Sequence, residues 1–268
     1  MRPAVTASED RFDRYVRDHR QDPGEPEPEL GIEKKPDRLI TWNHIEIVCE
    51  IKQFDNDPFG DWNGQARTMD LKTALKAVRR PISYAAEQLK PLAGRGLPLV
   101  VVLANPNGMP VPFSSDEVIW ALYGDPVWRI TISSATGKPV GEAEYGVERN
   151  GQIRNRHQYL SAVVALRHRT NAQDWSDALW RRLKEEHAPF DPVGDPEGAA
   201  RVAAIALEET KRAEEREEIP GGDYLFADVF VTMGVEAEPL PENVFDGPRD
   251  SRWEFDSTAS RYVRVRQR

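Results

Sequence analysis

The chain of 268 residues carries 36 Lys and Arg against 45 Asp and Glu, a formal net charge of −9, with 39% apolar and 30% charged residues. That length is ample for a core that needs no metal or disulfide staple, and a mean hydropathy of −0.63 with no apolar run of about 18 residues predicts no transmembrane helix. The acidic total argues against a protein that coats nucleic acid unselectively; the lone Cys49 and an N-terminus, MRPAVTASEDRFDRY, without an apolar signal stretch predict a reducing, cytoplasmic setting.

A first helix is expected over roughly 8–19, capped by Ser8, with Phe12, Tyr15 and Val16 at helical spacing. Residues 21–33, QDPGEPEPELGIE, hold acids and prolines and no base, which reads as an extended linker or surface loop. PDRLITW (36–42), a polar turn at Asn43-His44 and IEIVCEIK (45–52) form a hairpin signal. Alternation in the second strand puts Ile45, Ile47, Cys49 and Ile51 on one face and Glu46, Val48, Glu50 and Lys52 on the other. Asp70 can cap a helix carrying Leu71, Leu75 and Val78, which Pro81 should kink or restart. LPLVVVL (97–103) reads as a strand buried on both faces, so hairpin, crossover helix and buried strand make a βαβ unit.

Further on, SDEVIWALYG (115–124) predicts a short helix capped by Ser115; 128–134, 141–151 and 159–169 predict strands. An amphipathic helix follows at 174–186, another opens at Asp195-Pro196, and YLFADVFVTMG (224–234) is the last strand expected. Charge is unevenly spread: seven bases stand against Asp70 and Glu87 over 65–96, and eleven acids against four bases over 185–218. The basic segment suits either a phosphate-facing surface or a solvated helix face.

The hairpin carries the chemistry. Asp37 opens one strand, and Glu50 and Lys52 share a face of the next, about 7 Å apart along it. Paired carboxylates make a hard-oxygen site suited to Mg²⁺ or Mn²⁺, and an adjacent lysine can orient water and stabilise developing negative charge. Together they suit metal-assisted phosphodiester hydrolysis. The same residues also suit an ordinary half-exposed sheet, with Asp37 as a turn residue.

Pro36-Asp37, twelve residues, then Glu50-Ile51-Lys52 resembles the PD-(D/E)xK signature of restriction-endonuclease-like nucleases. Three other (D/E)xK matches, at Glu33, Asp70 and Glu209, lie in the linker or on helices, where the side chains would not line one sheet face. The resemblance covers roughly residues 9–104. It implies an α/β (α+β) core with a central mixed sheet flanked by helices. It places metal on Asp37, Glu50 and the Ile51 main chain, with Lys52 assisting the attacking water. It adds Glu9, on the first helix, as a further metal ligand and Gln88, on the crossover helix, as a catalytic residue. Tyr84 precedes Gln88 by four residues, whereas the RecB-like subgroup has Gln followed by Tyr, so no subgroup is assigned.

The expected organisation is a core over 1–170 and a helical and strand-bearing extension over 171–268. The expected function is Mg²⁺- or Mn²⁺-dependent cleavage of nucleic acid, foremost DNA, with no membrane partner. A protein partner or second copy could use the extension. The competing class is a restriction-endonuclease-like fold that binds without cleaving. Other chemistries lack their patterns: no HExxH, no GxSxG, and Gly137-Lys138 is followed by Pro139. The five histidines read as isolated surface residues and Cys49 as a small core residue.

Overall fold

The structure is a computed structural model and describes residues 5–55, 57, 68–141, 144–153, 156–187, 194–232, 234–256 and 261–267. It is a mixed α/β protein built on a seven-stranded mixed sheet. The chain runs α1 (Ala7–Asp18), β1 (Arg38–Trp42), β2 (Ile45–Gln53), α2 (Leu71–Ala74), α3 (Lys76–Leu89) and β3 (Leu99–Ala104). It continues α4 (Ser115–Tyr123), β4 (Gly124–Arg129), β5 (Glu144–Asn150), β6 (Ala162–Thr170), α5 (Asn171–Glu186), α6 (Pro196–Glu215), β7 (Asp223–Val231), β8 (Ser251–Asp256) and β9 (Arg261–Gln267). Sheet order is β1-β2-β3-β6-β7-β8-β9, and β4 and β5 form a separate antiparallel pair.

The hairpin closes as its residues require. Asn43 and His44 both take positive φ, 50° and 68°, which a two-residue turn matched to strand twist demands. β2 then pairs antiparallel with β1 and parallel with β3, and β3 pairs parallel with β6. β3 is buried along its whole length, as a central strand covered on both faces must be. On one face, Val48 and Val101 pack against Val78, Ile82, Ala85 and Leu89 of α3. α1 packs on β2, and its Phe12 and Tyr15 join Trp42 and Phe245 in an aromatic cluster.

Several local expectations change. Thr6, not Ser8, caps α1 through a capping box with Glu9. Ser8 is buried, and its N–H and Oγ–H both donate to Gln53 Oε1 at 3.3 Å. Ser114, not Ser115, caps α4, again with a glutamate three residues on. α3 runs through Pro81; the break falls at Leu75, between α2 and α3. The apolar stripe continues unbroken across the proline, so tertiary burial holds the helix where local propensity opposes it. The strand expected at 128–134 is shifted upstream to β4.

The acidic, proline-rich segment lies along the outer edge of β1, bridged at Asp22 to Thr41 and at Pro26 to Arg38. Gly24 has φ +71°, and a Cβ there would overlap the Leu39 carbonyl oxygen. Only glycine tolerates both conditions.

Two compact units emerge: residues 1–167 with 226–268, and His168–Leu225. The sheet thus draws in the last part of what composition sets apart as an extension over 171–268. The reason is burial: Ala227, Val229 and Phe230 of β7 are wholly buried, and Phe230 joins the main core. β8 and β9, absent from the expected elements, extend the sheet further. In the other unit, Leu179 and Leu183 of α5 pack on Val202 and Ala206 of α6, with Trp175 and Trp180 against them.

Candidate active site

Four elements meet at one end of β2. The β1–β2 register pairs Arg38 with Cys49, and one further step sets Asp37 opposite Glu50. Asp37 Oδ2 accepts a hydrogen bond from the Ile51 N–H at 2.6 Å, which ties the start of one strand to the interior of the other. Glu50 pairs across the ladder with Val101 in the middle of the sheet, and no part of it is exposed. Its Oε1 accepts from Lys52 Nζ, two residues along the same face. Its Oε2 accepts from Gln88 Nε2 at 2.8 Å; the same amide donates to the Lys35 carbonyl at 2.9 Å. Gln88 sits in the last turn of α3, and the packing of that helix over Val48 aims it at Glu50.

The expected residues Asp37, Glu50, Lys52 and Gln88 are therefore neighbours. Ile51 presents its amide to Asp37 and keeps its side chain in the core, 6% exposed. Glu9 stands differently: its Oε2 accepts from the Thr6 N–H at 2.7 Å and its Oε1 from Arg38 Nη1 at 3.1 Å. Its charge still helps to raise the Asp37 pKa.

Arg38 is the residue the sequence reading passed over. It is 1% exposed, and Asp13 grips its guanidinium in a two-bond fork at 2.9 and 3.0 Å. Asp13 lies four residues after Glu9, one helical turn on, so α1 presents two acids to one buried arginine beside Asp37. That spacing was the available signal.

Electrostatically the site is short of positive charge. Burial, then the Asp37 charge, pushes Glu50 up to about 7, against the opposing effect of Lys52. Burial also raises Asp37, although the Ile51 amide and Lys52 pull it down. Two crowded carboxylates share one lysine, and a divalent cation would relieve both. Among the described residues no three His, Cys, Asp or Glu side chains gather into a metal cage. Two carboxylates and a peptide carbonyl instead suit Mg²⁺, which keeps several waters and takes phosphate oxygens.

Lys52 also borders a cleft of about 720 Å³, whose walls include Lys76, Arg80 and Tyr84 of α3 and Asp55 and Asp57 beyond β2. Of the remaining bases in the 65–96 segment, Arg79 is turned inward to the Trp120 carbonyl and Asp125, at 3.0 and 2.6 Å. Arg67 and most of the loop from Gln53 to Thr68 lie outside the described residues. Cys49 is buried and free, and burial raises its thiol pKa, in keeping with a core role. His157 is not a surface residue: it is 7% exposed, with Nδ1 at 3.1 Å from the Tyr159 hydroxyl, which donates to the Ala86 carbonyl.

Among the described residues no helix is long and apolar enough to cross a membrane. Comparison with protein-family models, curated proteins and solved structures finds no match to this chain.

Proposed function

We propose that this chain is a metal-dependent nuclease with a restriction-endonuclease-like core, hydrolysing DNA phosphodiester bonds at Asp37, Glu50 and Lys52. The observation that carries the reading is the meeting of Asp37, Glu50, Lys52 and Gln88, from a hairpin and its crossover helix, beside a cleft that Lys52 borders. Asp37, Glu50 and the Ile51 carbonyl would hold Mg²⁺ or Mn²⁺, with Glu9 as a further ligand candidate. The bound ion would supply Lewis-acid polarisation of the phosphoryl group and a more acidic water. Lys52 holds positive charge at the cleft side of Glu50, where negative charge develops on phosphate oxygens and where an attacking water can be oriented. Gln88 fixes the Glu50 carboxylate in one orientation, and Asp37 is fixed by the Ile51 amide.

The test incubates purified protein with supercoiled, linear and single-stranded DNA in Mg²⁺, Mn²⁺ or EDTA. Cleavage in Mg²⁺ or Mn²⁺ that falls at least about 100-fold in both Glu50→Ala and Lys52→Ala is expected. Cleavage that survives both substitutions would sink the proposal. One observation favours a second reading, in which the same fold binds without cleaving: Glu50 has no solvent exposure. On that reading Mn²⁺ would not stabilise the protein against heat, and no DNA substrate would be cut.

A further inference from the structure

We propose that the cleft beside Lys52 seats a single strand of nucleic acid, with a base stacked on Tyr84 and the backbone phosphates held by Lys76 and Arg80. This rests on the nuclease reading and names the form of its substrate.

Lys76, Arg80 and Tyr84 succeed one another at four-residue intervals on α3, and all three line the cleft. The next position in that series is Gln88, which touches Glu50. One helix flank therefore runs from two cations through an aromatic ring to the candidate active site. Each interval is about 6 Å along the axis, close to the step between nucleotides in an extended strand.

Three features single this flank out. Tyr84 is 72% exposed, although it stands beside fully buried Ala85 and Ala86. An exposed aromatic ring beside cations is the arrangement on which bases stack in strand-binding grooves. Lys76 and Arg80 are exposed, and among the described residues neither forms an ion pair within 4.0 Å, although the charge of Lys76 reaches Asp70 and helps to lower its pKa. Exposed arginines elsewhere, such as Arg182 and Arg212, are paired with glutamates. Finally, a volume of about 720 Å³ falls in the range of small-ligand sites, roughly 300–1,000 Å³. It admits a short stretch of one strand and not the body of a duplex. Asp55 and Asp57 also line the cleft, and the backbone is assigned to the cations of α3.

The test is fluorescence anisotropy in EDTA, where binding is read without cleavage. The probes are a labelled strand of about a dozen nucleotides, as DNA and as RNA of the same sequence, and the matching DNA duplex. The wild type should bind a strand more tightly than the duplex. Tyr84→Ala should weaken strand binding about tenfold with an unchanged salt slope, and Tyr84→Phe should restore it. Lys76→Ala/Arg80→Ala should flatten the slope of log affinity against log salt by about 1.4, the loss of two phosphate contacts on a single strand. Tighter RNA than DNA binding keeps the strand site and moves the substrate. The proposal is overturned if the duplex is preferred, or if strand affinity survives Tyr84→Ala unchanged while melting temperatures show both proteins folded. A wild type that binds strands in this pattern yet cuts nothing in Mg²⁺ or Mn²⁺ overturns the nuclease reading and leaves the strand site standing.

Discussion

Glu50→Gln separates what the site costs the fold from what it contributes to metal binding. Glu50 is wholly buried and pushed up to about 7 from an ordinary 4.5. An acid raised in this way favours folding while it stays protonated. That contribution is complete below the unfolded value and is lost as pH rises through the folded one. Above pH 7 the ionised carboxylate therefore costs the folded state about 3 kcal/mol relative to its neutral form. Glutamine preserves the shape and, with its oxygen toward Gln88, that acceptor; it carries no charge and gives up the bond from Lys52, so the gain from removing the charge is an upper bound. In EDTA, the variant should be more stable than wild type at pH 8 by up to about 3 kcal/mol, and the difference should shrink toward zero near pH 4.5. Urea unfolding followed by tryptophan fluorescence measures both, since Trp42 is 1% exposed and reports on the core. Mn²⁺ should then stabilise wild type and leave the variant unmoved, because binding to the native state alone raises its stability. A variant no more stable than wild type at pH 8 in EDTA would refute the premise that Glu50 is a strained buried charge. Equal stabilisation of both proteins by Mn²⁺ would refute its role as a ligand.

Three further substitutions test the supports of the site. Arg38→Met leaves Glu9 and Asp13 without their buried partner, and a loss of about 3 kcal/mol in urea unfolding is expected; an effect near zero would show the fork to be dispensable. Gln88→Ala removes the amide that holds Glu50 Oε2, so calorimetric titration of the folded variant should show Mn²⁺ affinity falling roughly tenfold, with a stability loss of about 1–3 kcal/mol from the unsatisfied acceptor. Unchanged affinity would make Gln88 a bystander. Gly24→Ala should cost about 2 kcal/mol and raise amide exchange across 22–41, because the added methyl overlaps the Leu39 carbonyl; normal exchange protection would mean the edge segment is not pinned there.

The hairpin and the central strand were legible because each obeys a local rule. β2 alternates apart from Val48, its turn has two residues tolerant of positive φ, and LVVVLA has no polar position to orient it. β8 and β9 were not legible, and the reason is tertiary. SRWEFD and RYVRVRQ each alternate only two apolar residues, Trp253 and Phe255 or Val263 and Val265, with charged ones, a short pattern that the many charges outweigh. Arg252 is nonetheless 4% exposed, since the carbonyls of Leu240 and Pro241 accept from its guanidinium at 2.9 and 3.1 Å. No sequence window contains those partners. Arg38 escaped for the same reason: its acids lie on a helix 25 and 29 positions away. Glu50 and Lys52 were legible because strand alternation puts them on one face; Gln88 entered only through the family resemblance, and it is the packing of α3 that brings it to Glu50. What the sequence left hidden was that Glu9 is already engaged with Arg38 and the helix cap.

The net charge of −9 is resolved by where the fold puts its acids. Those of 21–33 lie along the edge of β1, where proline and charge block pairing with another sheet. Some of those of α5 and α6 are matched within their own unit, Glu209 and Glu186 by Arg182 and Glu208 by Arg212. Two of the remainder, Asp37 and Glu50, lie together at the sheet, where the charge of Asp37 helps to raise the Glu50 pKa; on the proposed reading the pair would draw a cation and not repel substrate. The cleft is lined by Lys52, Lys76 and Arg80 and also by Asp55 and Asp57. On the proposed reading a phosphate backbone would meet the positive charge of Lys76 and Arg80 on α3 and of Lys52 beside Glu50. Net charge sets solubility and long-range repulsion; the approach to the reacting bond is decided over distances shorter than a Debye length of about 8 Å. On that scale the helix flank of this acidic protein is basic.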